Sequence, residues 1–322
     1  MIEPLPLIIQ AYLNDLSFKG RKETTIKRYM YDLLDFHKWV KQNCNGRWSL
    51  TKDELEFFFY DLQFKRGYHI RTIKRIHTVL KQVARFQKDR GQTELRAINL
   101  IEPPELTVEP LSPSEWITIK EEHQLLRSLQ STYGLSEKQS ETFPYYQARN
   151  ECIVRLFLHY GLTLQEVAKL SMKDVHFHLN QLHLYDSKGE KRTVPLSKQV
   201  VSLFFDYIKT IPEPVRPAFH SHDPFFVAFD FQRKTYHWSY ADQTPKRITM
   251  IAIQKMLRLE VKRARLRKGI SAQTLRNTAI LRKLVTEASI EQLKLTNGYT
   301  SEQSLQRFIQ TTNTLSNAQK SN

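Results

Sequence analysis

The chain has 322 residues, enough for about two domains with sizeable hydrophobic cores. Its 49 Lys and Arg residues against 33 Asp and Glu residues give a net charge of +16, a balance typical of proteins that bind nucleic acid. The negative mean hydropathy argues against a membrane span, and the N-terminus lacks a signal-peptide pattern. The two cysteines are far apart, which argues against a disulfide framework, so we expect a cytoplasmic protein.

Residues 1–101 have the apolar periodicity of a helical domain. Helices are predicted over Leu5–Leu16, Lys22–Lys41 and Ile70–Gln87, and a further helix is predicted to begin after Thr51. Thr51 followed by Glu54 is the pattern of a capping box, in which each side chain accepts a hydrogen bond from the backbone of the other residue. We therefore expect a four-helix unit.

Two of these predicted helices begin with clusters of basic and hydroxyl side chains. The clusters are Thr25, Lys27 and Arg28 in one helix, and Arg71, Lys74 and Arg75 in the other. Backbone N–H groups, hydroxyls and cations at a helix start suit the phosphates of DNA. An ordinary solvated basic face is the alternative, but the clustering favours DNA contact.

Residues 102–114 contain four prolines and no basic residue. This composition predicts a semi-rigid, solvated linker. A linker between two DNA-binding domains raises the effective concentration of the second domain once the first is bound.

Residues 115–322 predict a second domain of helices and a few short strands. Helical patterns cover Trp116–Leu129, Tyr145–His159, Val200–Ile211 and Ile248–Leu266, with a polar loop over Ser131–Thr142. Strands are predicted over Val175–His178, Gln181–Tyr185 and Arg192–Pro195. The expected fold class is mainly α with a small antiparallel β-sheet, an α+β fold.

Histidines in the least regular part of this domain do not predict a metal site. His220, His222 and His237 match no standard ligand spacing, and no cysteine lies nearby. We expect neither a metal nor a cofactor.

The last of these helical patterns becomes strongly basic towards its end and just beyond it. This basic segment comprises Lys262, Arg263, Arg265, Arg267 and Lys268. Such a run is usually a solvated helix face, but its place just before residues 273 and 276 predicts that it lines a DNA channel. The polar residues after Phe308 are predicted to fray.

The segment 271–309 carries the most specific pattern in the chain. Gln273 and Arg276 lie three residues apart, Tyr299 follows twenty-three residues after Arg276, and Phe308 follows nine residues later. In these contexts the segment resembles the signature of the tyrosine recombinase, or phage integrase, family. In that family a His-x-x-Arg pair opens one helix, a Gly-His or Gly-Trp follows a second, and a nucleophilic Tyr lies nine residues beyond.

Two upstream segments fit the same resemblance. A Gly-Leu-Thr turn at Thr163 leads to Glu166, and a hairpin tip at Lys188 precedes Thr-Val-Pro-Leu. They resemble the family's Arg-x-x-Glu helix and its Lys-bearing β-hairpin. The resemblance implies a two-domain clamp on DNA, with an N-terminal core-binding domain and a C-terminal catalytic-type domain.

The resemblance also implies which positions would carry catalysis. Phe308 stands in place of the nucleophilic Tyr, Thr163 in place of the first Arg, and Gln273 in place of the His. A phenyl ring has no nucleophilic oxygen and an amide does not transfer protons near neutral pH, so the site is predicted to be degenerate and the chain not to be an enzyme. Tyr299, in place of the second His or Trp, could pack or donate a hydrogen bond. DNA contacts are predicted from Lys188, Lys191, Arg192, Gln273 and Arg276.

Three functions remain open from the sequence. The resemblance favours a sequence-specific double-stranded DNA-binding regulator, a prophage repressor of lytic genes that maintains lysogeny and is associated with the nucleoid of a bacterial host. The alternatives are an active or accessory site-specific recombinase and a protein-binding scaffold. Partners other than operator DNA, and the oligomeric state, are not predicted.

Overall fold

The computed structural model describes residues 5–105, 107–185, 189, 191–286, 289–299 and 301–320, with side chains as far as residue 315. The chain divides into two compact units, Met1–Thr107 and Val108–Asn322. The fold is mainly α-helical with small antiparallel β-sheets, as the sequence predicts. No helix within the ranges above is long and apolar enough to cross a membrane.

The first unit is built from amphipathic helices around one apolar core. Its helices are α1 (Leu7–Phe18), α2 (Glu23–Asn43), α3 (Lys52–Tyr60) and α4 (Ile70–Lys88), with a π-helical turn over Asp61–Lys65 and a 3-10 helix over Arg96–Leu100. Leu33, Phe36 and Trp39 of α2 are buried in a core that includes Phe58 and Ile76. This is the face that the apolar spacing of α2 predicts.

The predicted capping box at the start of α3 is confirmed. The Glu54 N–H donates to Thr51 Oγ1 at 3.3 Å, and the Thr51 N–H donates to Glu54 Oε2 at 2.8 Å. The bonds satisfy two backbone donors that would otherwise lack partners at a helix start.

The second unit consists of a larger helical assembly with three small sheets in its described part. Its helices are α5 (Ile119–Leu129), α6 (Glu137–Leu158), α7 (Leu164–Lys169), α8 (Lys198–Lys209), α9 (Met250–Arg263), α10 (Ala272–Thr286), α11 (Ile290–Asn297) and α12 (Gln306–Lys320). Helix α6 packs against α8 and α10. Its buried residues Cys152, Leu156 and Phe157 belong to the main apolar cluster.

The main sheet is an antiparallel meander. Its strands are β1 (Val175–His176), β2 (Gln181–Tyr185) and β3 (Lys191–Pro195). Leu182 lies opposite Val194, and both are buried, while the alternate residues face outward. Two further ladders pair β4 (Phe229–Asp230) with β5 (Thr235–Tyr236), and β6 (Trp238–Ser239) with β7 (Thr244–Pro245).

The structure corrects three local predictions. Helix α6 begins at Glu137, not near Tyr145, because Ser136 and Gln139 form a capping box and Pro144 is accommodated inside the helix. The tail beyond Phe308 continues as α12 to Lys320 and does not fray at that point. The predicted linker is not solvated throughout, since Leu111 is buried and its N–H donates to Thr311 Oγ1 at 2.8 Å.

Candidate functional site

Arg276 is the centre of the candidate site. It lies on α10, whose start is capped by Ser271, because the Thr274 N–H donates to Ser271 Oγ at 3.3 Å. The Arg276 residue is only 6% exposed, so it is not a solvated side chain. Its Nη2 donates to the Asn297 carbonyl at 3.0 Å, and its guanidinium lies over the Tyr299 ring at 5.2 Å.

The other terminal nitrogen of Arg276 is buried without a hydrogen-bond partner. Among the described residues, Nη1 of Arg276 and Oε1 of Gln310 are the buried side-chain polar atoms in this condition. The nearest carboxylate oxygen to Nη1 is Glu166 Oε2, at 3.7 Å. A buried cationic N–H without an acceptor is costly, so it marks a position where an external anion would be stabilised.

Glu166 is held by groups of its own. Its Oε2 accepts hydrogen bonds from the Thr163 N–H at 2.7 Å and the Thr163 hydroxyl at 2.8 Å, and its Oε1 accepts from Arg192 Nη2 at 2.7 Å. Burial would raise the pKa of Glu166, but the Arg192 guanidinium and the Thr163 backbone bond lower it below its usual value. Glu166 therefore stays ionised beside Arg276.

Thr163 does not replace the guanidinium that the family resemblance places at its position. It N-caps α7, and its hydroxyl accepts from the Glu166 N–H at 3.1 Å while donating to the Glu166 carboxylate. The hydroxyl is therefore used inside the α7 turn. The physical reason is the capping-box pattern Thr-x-x-Glu, which is present in the sequence.

Arg192 faces the protein interior, which corrects its prediction as a DNA contact. Its side chain is 12% exposed, and it donates to Glu166 and to the Thr296 carbonyl at the end of α11. Gly298, at φ +69°, ends α11, and a Cβ there would lie 3.1 Å from Arg192 Nε. Arg192 thus fixes α7, β3 and α11 relative to one another.

A cleft of about 430 Å³ lies between α7, α9 and the start of α10. Its lining includes Thr163, Gln254, Arg258, Gln273 and Arg276. Gln273 Nε2 donates to Asn277 Oδ1 at 2.8 Å. An amide has two such hydrogens, so Gln273 retains one for an external acceptor. The structure thus brings Gln273 and Arg276 to one cleft, as the sequence predicts, and adds Arg258.

Tyr299 and Phe308 pack together beside the site. Their ring centroids lie 6.4 Å apart in an edge-on arrangement, and Phe308 is 6% exposed. Phe308 belongs to an apolar cluster with Leu111, Ile280 and Leu305. Lys188, the remaining position carried over from the family, lies outside the described residues, and its neighbour Lys191 is exposed on β3.

The basic segment at the end of α9 and just beyond it splits into exposed and internal residues. Lys262, Arg265 and Lys268 are exposed, as a DNA-facing role requires. Arg263 is 8% exposed, and it pairs with buried Glu260 at 2.5 Å while donating to the Tyr133 carbonyl at 3.0 Å. The prediction of a DNA contact is therefore corrected for Arg263, which instead holds the loop between α5 and α6.

Arg267 is also held by the protein. Its Nε donates to Glu121 Oε1 at 2.8 Å, and its Nη1 donates to the Ser114 carbonyl at 2.8 Å. Like Arg263, it satisfies backbone carbonyls that helix ends and loops leave unpaired. Arg267 is half-buried, however, and its DNA contact stays a prediction.

In the first unit most of the predicted DNA-contacting residues lie at two helix starts. Lys27 and Arg28 are exposed at the start of α2, and Arg71 is exposed at the start of α4, while Thr25 and Lys74 are half-buried. Arg75 is different, because its Nε and Nη2 donate to the two oxygens of buried Asp32 at 2.8 and 2.9 Å. Arg75 thus forms a structural ion pair, and its DNA contact stays a prediction.

Sequence reasoning missed two groups of polar residues. Lys283 lies on α10 seven residues after Arg276, a spacing that puts both on one helix face and that could have indicated it. Buried Glu122 accepts a hydrogen bond from His159 at 3.0 Å and another from Arg282. These contacts join segments far apart in sequence, so no local pattern indicates them. Within the described residues, no group of three His, Cys, Asp or Glu side chains is arranged to hold a metal ion.

Comparison with known proteins identifies the fold family. The model of the phage integrase family matches residues 116–314, and that of the phage integrase N-terminal SAM-like domain matches residues 9–91. The chain belongs to the phage integrase family. It is 23% identical over 304 residues to tyrosine recombinase XerC of Caldanaerobacter subterraneus, a match covering 85% of this chain and 74% of that protein. It is 26% identical over 203 residues to tyrosine recombinase XerA of Pyrococcus furiosus, covering 63% of this chain and 60% of that protein.

Solved structures with the same fold were determined with DNA. The XerH site-specific recombinase bound to palindromic difH substrate is 16% identical with a TM-score of 0.64, and the match covers 90% of this chain and 77% of that one. A lambda integrase dimer bound to a COC' core site is 13% identical with a TM-score of 0.61, covering 94% of this chain and 75% of that one. At these identities the likeness shows the phage integrase fold.

These comparisons overturn one sequence-based prediction. The substitutions at positions 163, 273 and 308 predicted that the chain is not an enzyme. The matching relatives are named tyrosine recombinases, which are enzymes that cleave and rejoin DNA, and no finding shows that this member of the family has lost catalysis. The prediction is wrong on these findings, because it inferred a loss of activity from residue types alone.

Proposed function

We propose that this member of the phage integrase family binds double-stranded DNA at specific sites and regulates transcription there, as a prophage repressor that silences lytic genes and maintains lysogeny. The observation that carries the DNA-binding part is the unpaired Nη1 of Arg276 beside a cleft that is also lined by Arg258 and Gln273. A phosphate oxygen would supply the acceptor that the protein does not. Charge-assisted bonds of this kind are about twice as strong as neutral ones.

Exposed cations extend this phosphate site over a wider surface of the second unit. Lys262, Arg265 and Lys268 are exposed after Arg258 along the same basic segment. None of the three has a carboxylate partner among the described ion pairs, so each can neutralise a phosphate and release a counterion. Lys27 and Arg71 supply exposed cations at helix starts in the first unit.

The second candidate function is site-specific recombination, alone or as an accessory subunit. It is supported by the names of the relatives and by the substrate-bound recombinases that share the fold. Regulation does not require a loss of strand cleavage, because occupying an operator needs only stable and selective binding. The two functions therefore differ in where the protein binds and in whether a covalent intermediate forms.

Immunoprecipitation of the protein with the DNA of its host, followed by sequencing, tests the proposal. A repressor is expected to give several discrete sites beside promoters, with transcription from those promoters rising when the protein is depleted. A single attachment-like locus, together with a covalent protein–DNA adduct on a nicked duplex, would instead support recombination. The absence of any enriched DNA would overturn both functions and leave a protein-binding scaffold.

A further inference from the structure

Lys283 lies beside Arg276 but has no acidic partner. It is half-buried on α10, and its Nζ donates to Asn297 Oδ1 at 3.3 Å and to the Tyr160 carbonyl at 3.4 Å. Both acceptors are neutral, and no ion pair joins Lys283 to a carboxylate of the described residues. A partly buried ammonium without a counter-ion lowers the stability of the free protein, which indicates a role for Lys283 outside folding.

Asn297 connects Lys283 to the candidate site. It is 1% exposed, its backbone carbonyl accepts from Arg276, and its side-chain oxygen accepts from Lys283. The same oxygen is packed against Gly161, where a Cβ would lie 2.8 Å away and where φ is +69°. A change at Lys283 is therefore transmitted through one buried residue to the carbonyl that orients the Arg276 guanidinium.

The charges around Lys283 are mostly positive. Two guanidinium groups act on Lys283, those of Arg192 from β3 and Arg276 from α10, and Glu166 of α7 pairs with both of them. Arg282 is neutralised by Glu122, which leaves Glu166 to balance three cations. Three cations against one carboxylate leave an excess of positive charge, which an anion bound at Arg276 would reduce.

We propose that Lys283 is a positioning residue that supplies the third positive charge of the Arg276 site, so that the binding of a DNA phosphate is coupled to the uptake of a proton by Lys283. This inference rests on the proposed DNA-binding function and adds a regulation of the same site by pH. No covalent step is involved. The ligand chemistry is that of a phosphodiester oxygen.

The direction of the pH effect follows from the free protein. Burial, and then repulsion by Arg192 and Arg276, lower the pKa of Lys283 from its ordinary value to about 8. A bound phosphate favours the ammonium and raises the pKa again. Affinity is therefore highest where Lys283 is charged in both states, and it falls as the pH rises through about 8.

Two variants separate this role from a merely structural one. Lys283→Arg keeps its charge at every accessible pH, so its DNA affinity should not decline above neutral pH. Lys283→Met should bind DNA weakly, and its affinity should not change with pH, because the side chain has no charge to lose. Lys120→Met, at an exposed lysine of α5, is the matched control and should keep the pH profile of the parent.

The experiment measures the affinity of the full chain for a random-sequence duplex at fixed salt between about pH 7 and about pH 9.5. The affinity of the parent should fall roughly three- to tenfold over this range, which corresponds to a rise of up to about one unit in the pKa of Lys283 when DNA binds. Calorimetry of the unaltered protein in two buffers of different ionisation enthalpy should show proton uptake near pH 8 and little near pH 6, a readout that does not depend on a variant folding. If Lys283→Arg follows the parent's decline, or if no proton is taken up, the inference is overturned while DNA binding stands. If the parent binds no duplex at any pH, the proposed function itself fails.

Discussion

The Nη1 atom of Arg276 lies 3.7 Å from Oε2 of Glu166, too far for a hydrogen bond, although both groups are charged and largely shielded from solvent. Glu166 does not approach more closely because Thr163 and Arg192 already bind its two oxygens. The two groups therefore form an ion pair without a hydrogen bond. It keeps a cationic donor at the cleft without neutralising it fully.

Glu166→Gln should change stability and DNA affinity in opposite directions. Gln can still accept the Thr163 N–H, but Arg192 loses its charged partner, so the free energy of unfolding should fall by roughly 1–3 kcal/mol. DNA affinity should rise by about two- to fivefold, because a negative charge near the phosphate is removed. Urea unfolding and fluorescence anisotropy on a duplex measure the two effects. Glu213→Gln, at a side chain 87% exposed, should change neither, and a loss of affinity in Glu166→Gln would contradict this account.

The neighbouring residues Lys262 and Arg263 should separate DNA contact from structure. Arg263→Ala breaks a buried ion pair with Glu260 and frees carbonyls of the loop before α6, so it should cost about 3–5 kcal/mol of stability. Lys262→Ala should leave stability within about 0.5 kcal/mol but lower the salt slope of DNA binding by about 0.9. Thermal unfolding and salt titration measure both. Equal stability losses in the two variants would be inconsistent with the burial of Arg263.

Glu122 should make the protein sensitive to acid. Burial would raise the pKa of Glu122, but hydrogen bonds from His159 and Arg282 lower it to about 2. A carboxyl whose folded pKa is depressed stabilises the fold above its unfolded pKa near 4.5, and this contribution is lost as the pH falls through about 2.

The matching measurement compares the parent with Glu122→Gln in urea at several pH values. The variant should be less stable by about 3 kcal/mol at neutral pH, and the difference should shrink steadily below about pH 4.5. Glu56→Gln, at an exposed ion pair with Lys52, should show no such pH dependence. A stability difference that stays constant as the pH falls below about 4.5 would show that Glu122 is not the source of the acid sensitivity.

Phe308→Ala should chiefly destabilise the second unit. Removing a buried ring from its cluster with Leu111 and Leu305 is expected to cost about 3–5 kcal/mol. Tyr299 would lose its edge-on neighbour, so DNA affinity should fall only to the extent that Tyr299 moves from the Arg276 guanidinium. Phe18→Ala, at a ring 91% exposed, is the control for chemical denaturation. An unchanged unfolding midpoint in Phe308→Ala would contradict its placement in the core.

The sequence predicts those parts of the fold that depend on local patterns. The capping box of Thr51 and Glu54, the apolar face of α2 and the full extent of β2 follow from residues a few positions apart. The start of α6 was missed although Ser136 and Gln139 carry the same kind of signal, because the polar stretch Ser131–Thr142 was interpreted as a loop.

The roles of individual basic residues cannot be read from a local pattern. Lys262 and Arg263 are adjacent in one basic run, yet the loop that contains Tyr133 covers Arg263 and leaves Lys262 exposed. The spacing of the sequence predicts a site at Arg276, but the burial of Arg276 depends on α11, whose Asn297 carbonyl it meets. Lys283 acquires its surroundings from the same packing of α10 and α11.

The salt dependence of DNA binding by the parent and by Arg276→Ala tests the central claim most directly. Circular dichroism should first establish that the variant is folded, since Arg276 is buried. The logarithm of affinity should fall linearly with the logarithm of salt for both proteins. Arg276→Ala should bind more weakly by roughly 1–3 kcal/mol, with a slope smaller by about 0.9. Arg233→Ala, at a side chain 81% exposed, should match the parent. A folded Arg276→Ala protein with the parent's affinity and slope would show that Arg276 does not bind DNA phosphate.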